Sequence, residues 1–384
     1  MNLRKSDLKF IITSFLMWRI GLFLILIIAP FLFPLQKDFL GGGLESYIKN
    51  PWLWSWANFD GEHFLAIAYQ GYLPLTYFFF PLYPLATKLL SIFIGAGLEN
   101  LNYSALIVSN LSFLVGSTGL YKLLRTDFGE RVSKLTYILL LIFPTSFYFG
   151  SVYSESLFFA LVVWSFYFAR KKKWLFAGLL CGLGAITRLA GVALIPALVT
   201  EGMLDRKKRE KLSWRFIFSI IVSVSGIFIY MYFLFIRTGD PLEFFHNVSI
   251  FGQQRSSVFV SLPQVFYRYV FKVLPNVSYK YFPAVLAAWM EFIVAVIFTL
   301  LMLISFFRLR ISYAVYLTLG FLIPTLSGSF SSLPRYVIVL FPAFILIASW
   351  FDKRHRIAKV LLSLLALLML FISCSLFLRG YWIS

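Results

Sequence analysis

The 384-residue chain is 60% hydrophobic and only 13% charged, and carries a formal net charge of +19. A soluble domain runs at about half apolar and about a quarter charged, so an ordinary water-soluble globule is excluded. Apolar runs of roughly 17–25 residues recur from end to end without the alternation of a barrel, and predict an all-α polytopic membrane protein.

In a soluble protein the positive charge would point to nucleic acid. Here it sits in short clusters between apolar runs, the pattern of cytoplasmic loops, so nucleic acid is not an expected partner and membrane lipids are. Cys181 and Cys374 lie inside hydrophobic segments and lack redox or zinc spacing.

In chain order, Arg4, Lys5 and Lys9 place the start of the chain on the cytoplasmic side of a first span near 10–33. That run is too long for a signal-peptide core and has no small-residue cleavage site, so it reads as a retained span. Further clusters fix later turns inside: Lys122–Lys134, Arg170–Lys173, Arg206–Lys211, Arg308 with Arg310, and Lys353–Arg356. Threading them gives spans near 10–33, 103–121, 135–150, 153–169, 174–187, 189–203, 214–236, 284–306, 311–327, 334–351 and 357–378. The expected total is about eleven, within a range of roughly 11–13. Residues 78–97 are long enough to cross, but charge parity assigns them to an interfacial or re-entrant helix broken at Pro81 and Pro84. The whole of 1–384 therefore reads as one integral-membrane domain with two large outer segments, 35–102 and 237–283.

The first outer segment holds WANFDGEHFLAIAYQGY and then YFFFPLYP. Asp60 and Glu62 are acids in an aromatic, membrane-hugging stretch, where partial desolvation raises a carboxylate's basicity toward general-base strength. On a helix Asp60 and His63 share a face as i and i+3, and Glu62 points elsewhere. The bland alternative is a solvated acidic loop beneath a tryptophan belt. Glu155, in VYSESLFF, is either a helix N-terminal acid with Ser154 or Ser151 as cap, or an acid reaching into an outward-facing cavity. Arg188, at the glycine-flanked crest of GLGAITRLAG, and Arg335, in LPRYVIVLFP, both start from the outer side. Arg188 is a phosphate-ligand candidate, with snorkelling as the alternative, and the two outward arginines with the outer carboxylates suggest a polar cavity beneath the outer leaflet.

The second outer segment holds Asp240, Glu243, His246, Gln253, Gln254 and Arg255, then an amphipathic stretch from Pro263 to Leu274. Its Arg268, Lys272 and Lys280 form an outer basic surface facing either lipid head groups or an anionic substrate. Arg19, within the first span, is expected to snorkel toward the cytoplasm, and Glu291 to bond a neighbour within its span. Three N-x-S triplets, at Asn102, Asn247 and Asn276, are expected outside. No metal-ligand or nucleotide-binding spacing occurs, so no cofactor is expected, with a divalent ion left open.

The first outer motif resembles the signature of the PIG-V family, glycosylphosphatidylinositol mannosyltransferases and their bacterial relatives. There a tryptophan precedes D-x-x-H-F, then I-A-x-x-G-Y, then F-F-P-x-x-P. VYSESLFF, TRLAGVALIP and LPRYVIVLFP agree in the same order, so the likeness runs from about residue 15 to 345. The resemblance implies a GT-C glycosyltransferase bundle. It also implies a polyprenyl-phosphate sugar donor, with mannose as the sugar, and a glycolipid or other acceptor. On that reading Asp60 is the base of an inverting transfer, Glu62 is its rival, and His63 orients Asp60 or contacts the acceptor. Arg188 and Arg335 would hold the lipid phosphate, and Glu155, Trp56 and Tyr72 would face substrate. The implied location is a bacterial plasma membrane with the site on the extracytoplasmic side, or the endoplasmic reticulum in a eukaryote. The alternative is a polytopic transporter or lipid flippase, which would place its charges along a path at mid-membrane.

Overall fold

The computed structural model describes residues 4–74, 76–204, 213–247, 255–256 and 258–383. The Arg206–Lys211 cluster, Gln253 and Gln254 lie outside the described residues. The main helices are α1 (Lys5–Leu32), α2 (Asp60–Gln70), α3 (Leu82–Ile94), α4 (Leu98–Asp127), α5 (Glu130–Leu141), α6 (Glu155–Arg170) and α7 (Trp174–Ala185). They continue with α8 (Leu194–Leu204), α9 (Trp214–Thr238), α10 (Phe282–Arg308), α11 (Ile311–Thr325), α12 (Leu333–Tyr336), α13 (Phe341–Asp352) and α14 (Arg356–Leu378). No strand occurs among the described residues. The chain is an all-helical polytopic membrane protein.

Among the described residues, five helices are long and apolar enough to cross a membrane: α1, α4, α9, α10 and α14. Counting one bent helix pair as a single span makes six. Residues Leu333–Val339 and α13 together have the length and composition of a span, but they meet at 85°. Leu340 lies outside helical geometry at the break. Pro342 then sits in the first turn of α13, where a missing N–H costs nothing.

The continuous span expected over 135–150 is broken as well. α5 stops at Leu141, Pro144 cannot donate to the helical ladder, and the chain resumes as a 3₁₀ turn over Ser146–Gly150. α3 has 13 residues, about 20 Å of rise and short of a hydrocarbon core of roughly 30 Å.

Small residues let these helices approach. A Cβ on Gly178 of α7 would lie 2.4 Å from the Ser219 carbonyl oxygen of α9. One on Gly226 of α9 would lie 2.2 Å from the Gly182 oxygen of α7. Backbone-on-backbone contact of this kind suits membrane helices, which gain no hydrophobic drive from associating within lipid. Asn102 is fully buried on α4.

Glu155 and Arg170 are the two ends of α6, about 22 Å apart by helical rise. Around Arg170 lies a polar knot. Arg170 pairs with Asp127 and Glu201, Arg310 Nε lies 2.7 Å from Glu201, and the Tyr313 hydroxyl donates to Asp127 at 2.7 Å. This knot ties α4, α6, α8 and α11 together among the sequence's basic loops. The groups described next gather around the other end of α6.

Candidate active site

The site begins with a lock on the residues before Asp60. Asn58 is fully buried, and its side chain bridges two distant strands of backbone. Its Oδ1 accepts from the Gly41 N–H at 3.1 Å, and its Nδ2 donates to the Phe377 carbonyl at 2.8 Å. Its own carbonyl accepts from the Tyr153 hydroxyl at 2.9 Å. Phe59 follows at φ 59°, ψ −120°, a left-handed-side conformation that a side-chain-bearing residue holds only when its surroundings impose it. Asp60 is then the first residue of α2. Gly61 allows that turn to press on residue 152, since an added Cβ would sit 3.2 Å from the Val152 carbonyl oxygen.

Asn58 passed unnoticed in the sequence because an asparagine among aromatics carries no spacing signal. Asn58→Ala strands the buried Gly41 N–H at about 1–3 kcal/mol, while the Phe377 carbonyl keeps the Gly380 N–H at 3.0 Å. A lowered midpoint of thermal unfolding in detergent, relative to the wild type, checks this.

Asp60 Oδ2 accepts from Arg335 Nη1 at 2.6 Å. Arg335 is 3% exposed. Its Nη2 lies 3.2 Å from the Tyr336 hydroxyl, and its Nε lies 3.4 Å from Glu155 Oε1. The same Glu155 oxygen pairs with Arg188 Nη1. Acid and base therefore alternate along one chain, Asp60–Arg335–Glu155–Arg188, drawn from four separate parts of the sequence. Burying one such charge alone costs several kcal/mol, and the alternation makes the cluster tolerable.

Arg188, Arg255 and Arg335 also stack over the Tyr336 ring, at 5.2, 5.3 and 5.0 Å from its centroid. Glu155 Oε2 is buried and has no hydrogen-bond partner among the described residues. Neither Ser151 nor Ser154 caps α6: Ser154 makes no capping bond, and the Ser151 hydroxyl donates to the Phe147 carbonyl at 2.9 Å. Glu155 is thus placed by the arginines rather than by a capped helix end.

Asp60, Glu155, Arg188, Arg255, Arg335 and Tyr336 line one cavity of about 230 Å³. Its charged lining is Asp60, Glu155, Arg188, Arg255 and Arg335, three guanidiniums against two carboxylates. Its apolar wall includes Phe79 and Phe80 from the first outer segment and Phe244 and Phe259 from the second. The cavity therefore offers a net positive, hydrogen-bonding floor beside an apolar flank, a combination suited to an amphiphilic anion. Among the described residues no group of three or more potential metal ligands occurs, and both cavity acids are engaged by guanidiniums.

The other candidates stand outside this lining. His63 stacks on Phe79 with ring centroids 5.0 Å apart. Glu62 is exposed, yet desolvation by the surrounding protein raises its carboxyl pKa, while His63 pulls it down. Trp56 is buried, and its carbonyl accepts from the Val152 N–H at 2.9 Å. The Tyr72 hydroxyl donates to the Phe79 carbonyl at 2.6 Å.

Arg19 does not snorkel toward the cytoplasm: its guanidinium lies 4.6 Å over the Trp56 ring. Arg268 is half-buried and donates to the Gly328 carbonyl at 3.1 Å. Arg255 and Tyr336 are among the cavity residues that sequence reasoning did not place there. Tyr336 had a usable signal in its position directly after Arg335.

The family model of dolichyl-phosphate-mannose-protein mannosyltransferases matches residues 83–234, which include Glu155 and Arg188. Among solved structures, ArnT from Cupriavidus metallidurans bound to undecaprenyl phosphate aligns with 16% identity and a TM-score of 0.50, covering 91% of this chain and 62% of that one. The apo state of the same protein aligns with 16% identity and a TM-score of 0.50, covering 95% of this chain and 75% of that one. The fold is GT-C-like. The chain spans a little under two thirds of the length of the ligand-bound ArnT structure it matches. The Archaeoglobus fulgidus oligosaccharyltransferase in complex with Zn and sulfate aligns more loosely, with 17% identity and a TM-score of 0.47, covering 96% of this chain and 53% of that one. The search of curated proteins finds no match.

Proposed function

We propose that the chain is a membrane glycosyltransferase that moves a sugar from a polyprenyl-phosphate donor to a hydroxyl acceptor. The observation that carries this reading is the cavity in which Asp60 sits beside three arginines. Its support comes from the ArnT fold, whose solved structure holds undecaprenyl phosphate, and from the mannosyltransferase family model over 83–234. Mannose as the sugar draws on the name of that family model and on the motif around Asp60, and a PIG-V relationship draws on the motif alone.

In the proposed reaction, Asp60 takes the proton of the acceptor hydroxyl as its oxygen attacks the anomeric carbon. The bond from that carbon to the phosphate oxygen breaks, and the sugar's configuration inverts. The lipid phosphate leaves as an anion and needs no protonation, so one acid suffices. Arg188, Arg255 and Arg335 stabilise the charge that collects on it. Asp60 is suited to the role because only Oδ2 is engaged by Arg335. The site is assigned to the extracytoplasmic side, since the basic loops gather at the opposite end of α6.

The test is incubation of membranes containing the chain with radiolabelled polyprenyl-phosphate mannose. Label is expected to pass to an acceptor in a manner that requires the chain. Unchanged donor after incubation with several acceptor-rich membrane extracts overturns the reading.

A further inference from the structure

We infer that Glu291 is a positioning residue for Arg335 and Tyr336, acting through the turn at Ser332. Glu291 is the tenth residue of α10 and 6% exposed. A carboxylate inside a span is costly, and among the described residues this one makes no ion pair, so simple charge neutralisation does not account for it.

Both of its oxygens are instead used by one neighbourhood. Oε1 accepts from the Ser332 backbone N–H at 3.2 Å, and Oε2 accepts from the Tyr269 hydroxyl at 2.8 Å. Tyr269 is itself fixed against Phe330, with ring centroids 4.8 Å apart.

Ser332 is the sensitive point of the turn. It holds a left-handed conformation, φ 61° and ψ 8°, which an L-residue adopts reluctantly. Its carbonyl accepts from the N–H groups of both Arg335 and Tyr336, each at 3.1 Å. The orientation of the short α12 is therefore inherited from Ser332, and that of Ser332 from Glu291. The preceding residues are braced from the second outer segment. Arg255 donates to the Ser331 carbonyl, Arg268 to that of Gly328, and the Val260 N–H to that of Leu326 at 3.0 Å. Without Glu291, relaxation at Ser332 would swing the guanidinium that contacts Asp60.

The inference rests on the reading of the cavity as a donor site, and the experiment separates the two. Purified full-length chain in nanodiscs is compared as wild type, Glu291→Leu, Glu291→Gln and Tyr269→Phe. Hydrogen exchange is followed over residues 328–336, and undecaprenyl phosphate is titrated in parallel. Glu291→Leu is expected to speed exchange in that segment by about tenfold or more, while α4 and α6 stay protected. Its affinity for the lipid phosphate falls by about tenfold, and Tyr269→Phe falls between it and the wild type. Glu291→Gln keeps an acceptor for Ser332 and stays within about threefold of the wild type on both readouts. Unchanged exchange in Glu291→Leu, or a glutamine variant as impaired as the leucine variant, overturns the inference. If the wild type itself fails to bind undecaprenyl phosphate, the donor-site reading falls, and the exchange comparison still decides the role of Glu291.

Discussion

Asp60→Asn is expected to abolish transfer while leaving the binding of the lipid phosphate intact or stronger. Asparagine is nearly isosteric and still presents an oxygen to Arg335 Nη1, so the contact now made at 2.6 Å has a successor. What is lost is the ability to take a proton, which for a general base is worth about 10²–10⁴ in rate. The sign of the binding change follows from charge. Removing one carboxylate from a lining of three guanidiniums and two acids raises the positive excess that greets a phosphate. Transfer assays paired with titration of the unsugared polyprenyl phosphate measure both quantities on the same preparation. A variant retaining more than about a tenth of wild-type turnover would remove Asp60 from the base role. Simultaneous loss of binding and turnover would instead point to a collapsed cavity.

Arg335→Leu is expected to have the largest effect on stability of any change at the site. It strands Asp60 and leaves Glu155 with Arg188 as its one cation, and breaking a buried pair by removing one partner costs about 3–5 kcal/mol. Arg335→Lys rescues little. A single ammonium cannot address Asp60, the Tyr336 hydroxyl and Glu155 from one planar fork, nor stack on Tyr148 and Tyr153 as the guanidinium does. The double variant Asp60→Asn/Arg335→Leu separates charge from packing. It is expected to be less destabilised than the two single changes added together, by about 1–3 kcal/mol of coupling. Thermal unfolding of the four proteins in one detergent gives the cycle, and strict additivity would mean that the pair does not hold the cavity together.

The residues of the candidate site are more legible in the sequence than the path of the chain through the membrane. Asp60, Glu155, Arg188 and Arg335 stand out because each is a charge in apolar surroundings, and such a charge must find company. Their meeting in one cavity follows from that rule once the basic loops place all four on the same side. The broken spans are hidden for the opposite reason. Hydropathy averages over a window, so Pro144 and the turn at Leu340 leave the 135–150 and 334–351 runs looking continuous. The braces are hidden too. Asn58, Tyr269 and Glu291 act by bonding backbone groups far away in sequence, and no local spacing encodes such a partner. The direction of Arg19 is hidden by the same limit: a guanidinium's direction depends on which ring tertiary packing brings near it.

The separation in sequence between Asp60 and Arg335 also sets a schedule for biosynthesis. Their partnership closes over 275 residues, and the Asn58 lock over 319. At about 5–20 residues per second, a ribosome has passed Asp60 by roughly 14–55 seconds before Arg335 is made. Through that interval the acid waits at the membrane surface without its cation. Phe377, which completes the lock, arrives later still, in the last turn of α14. The pocket is thus a product of the final stage of insertion, and a nascent chain released before α14 carries the motif but no assembled site.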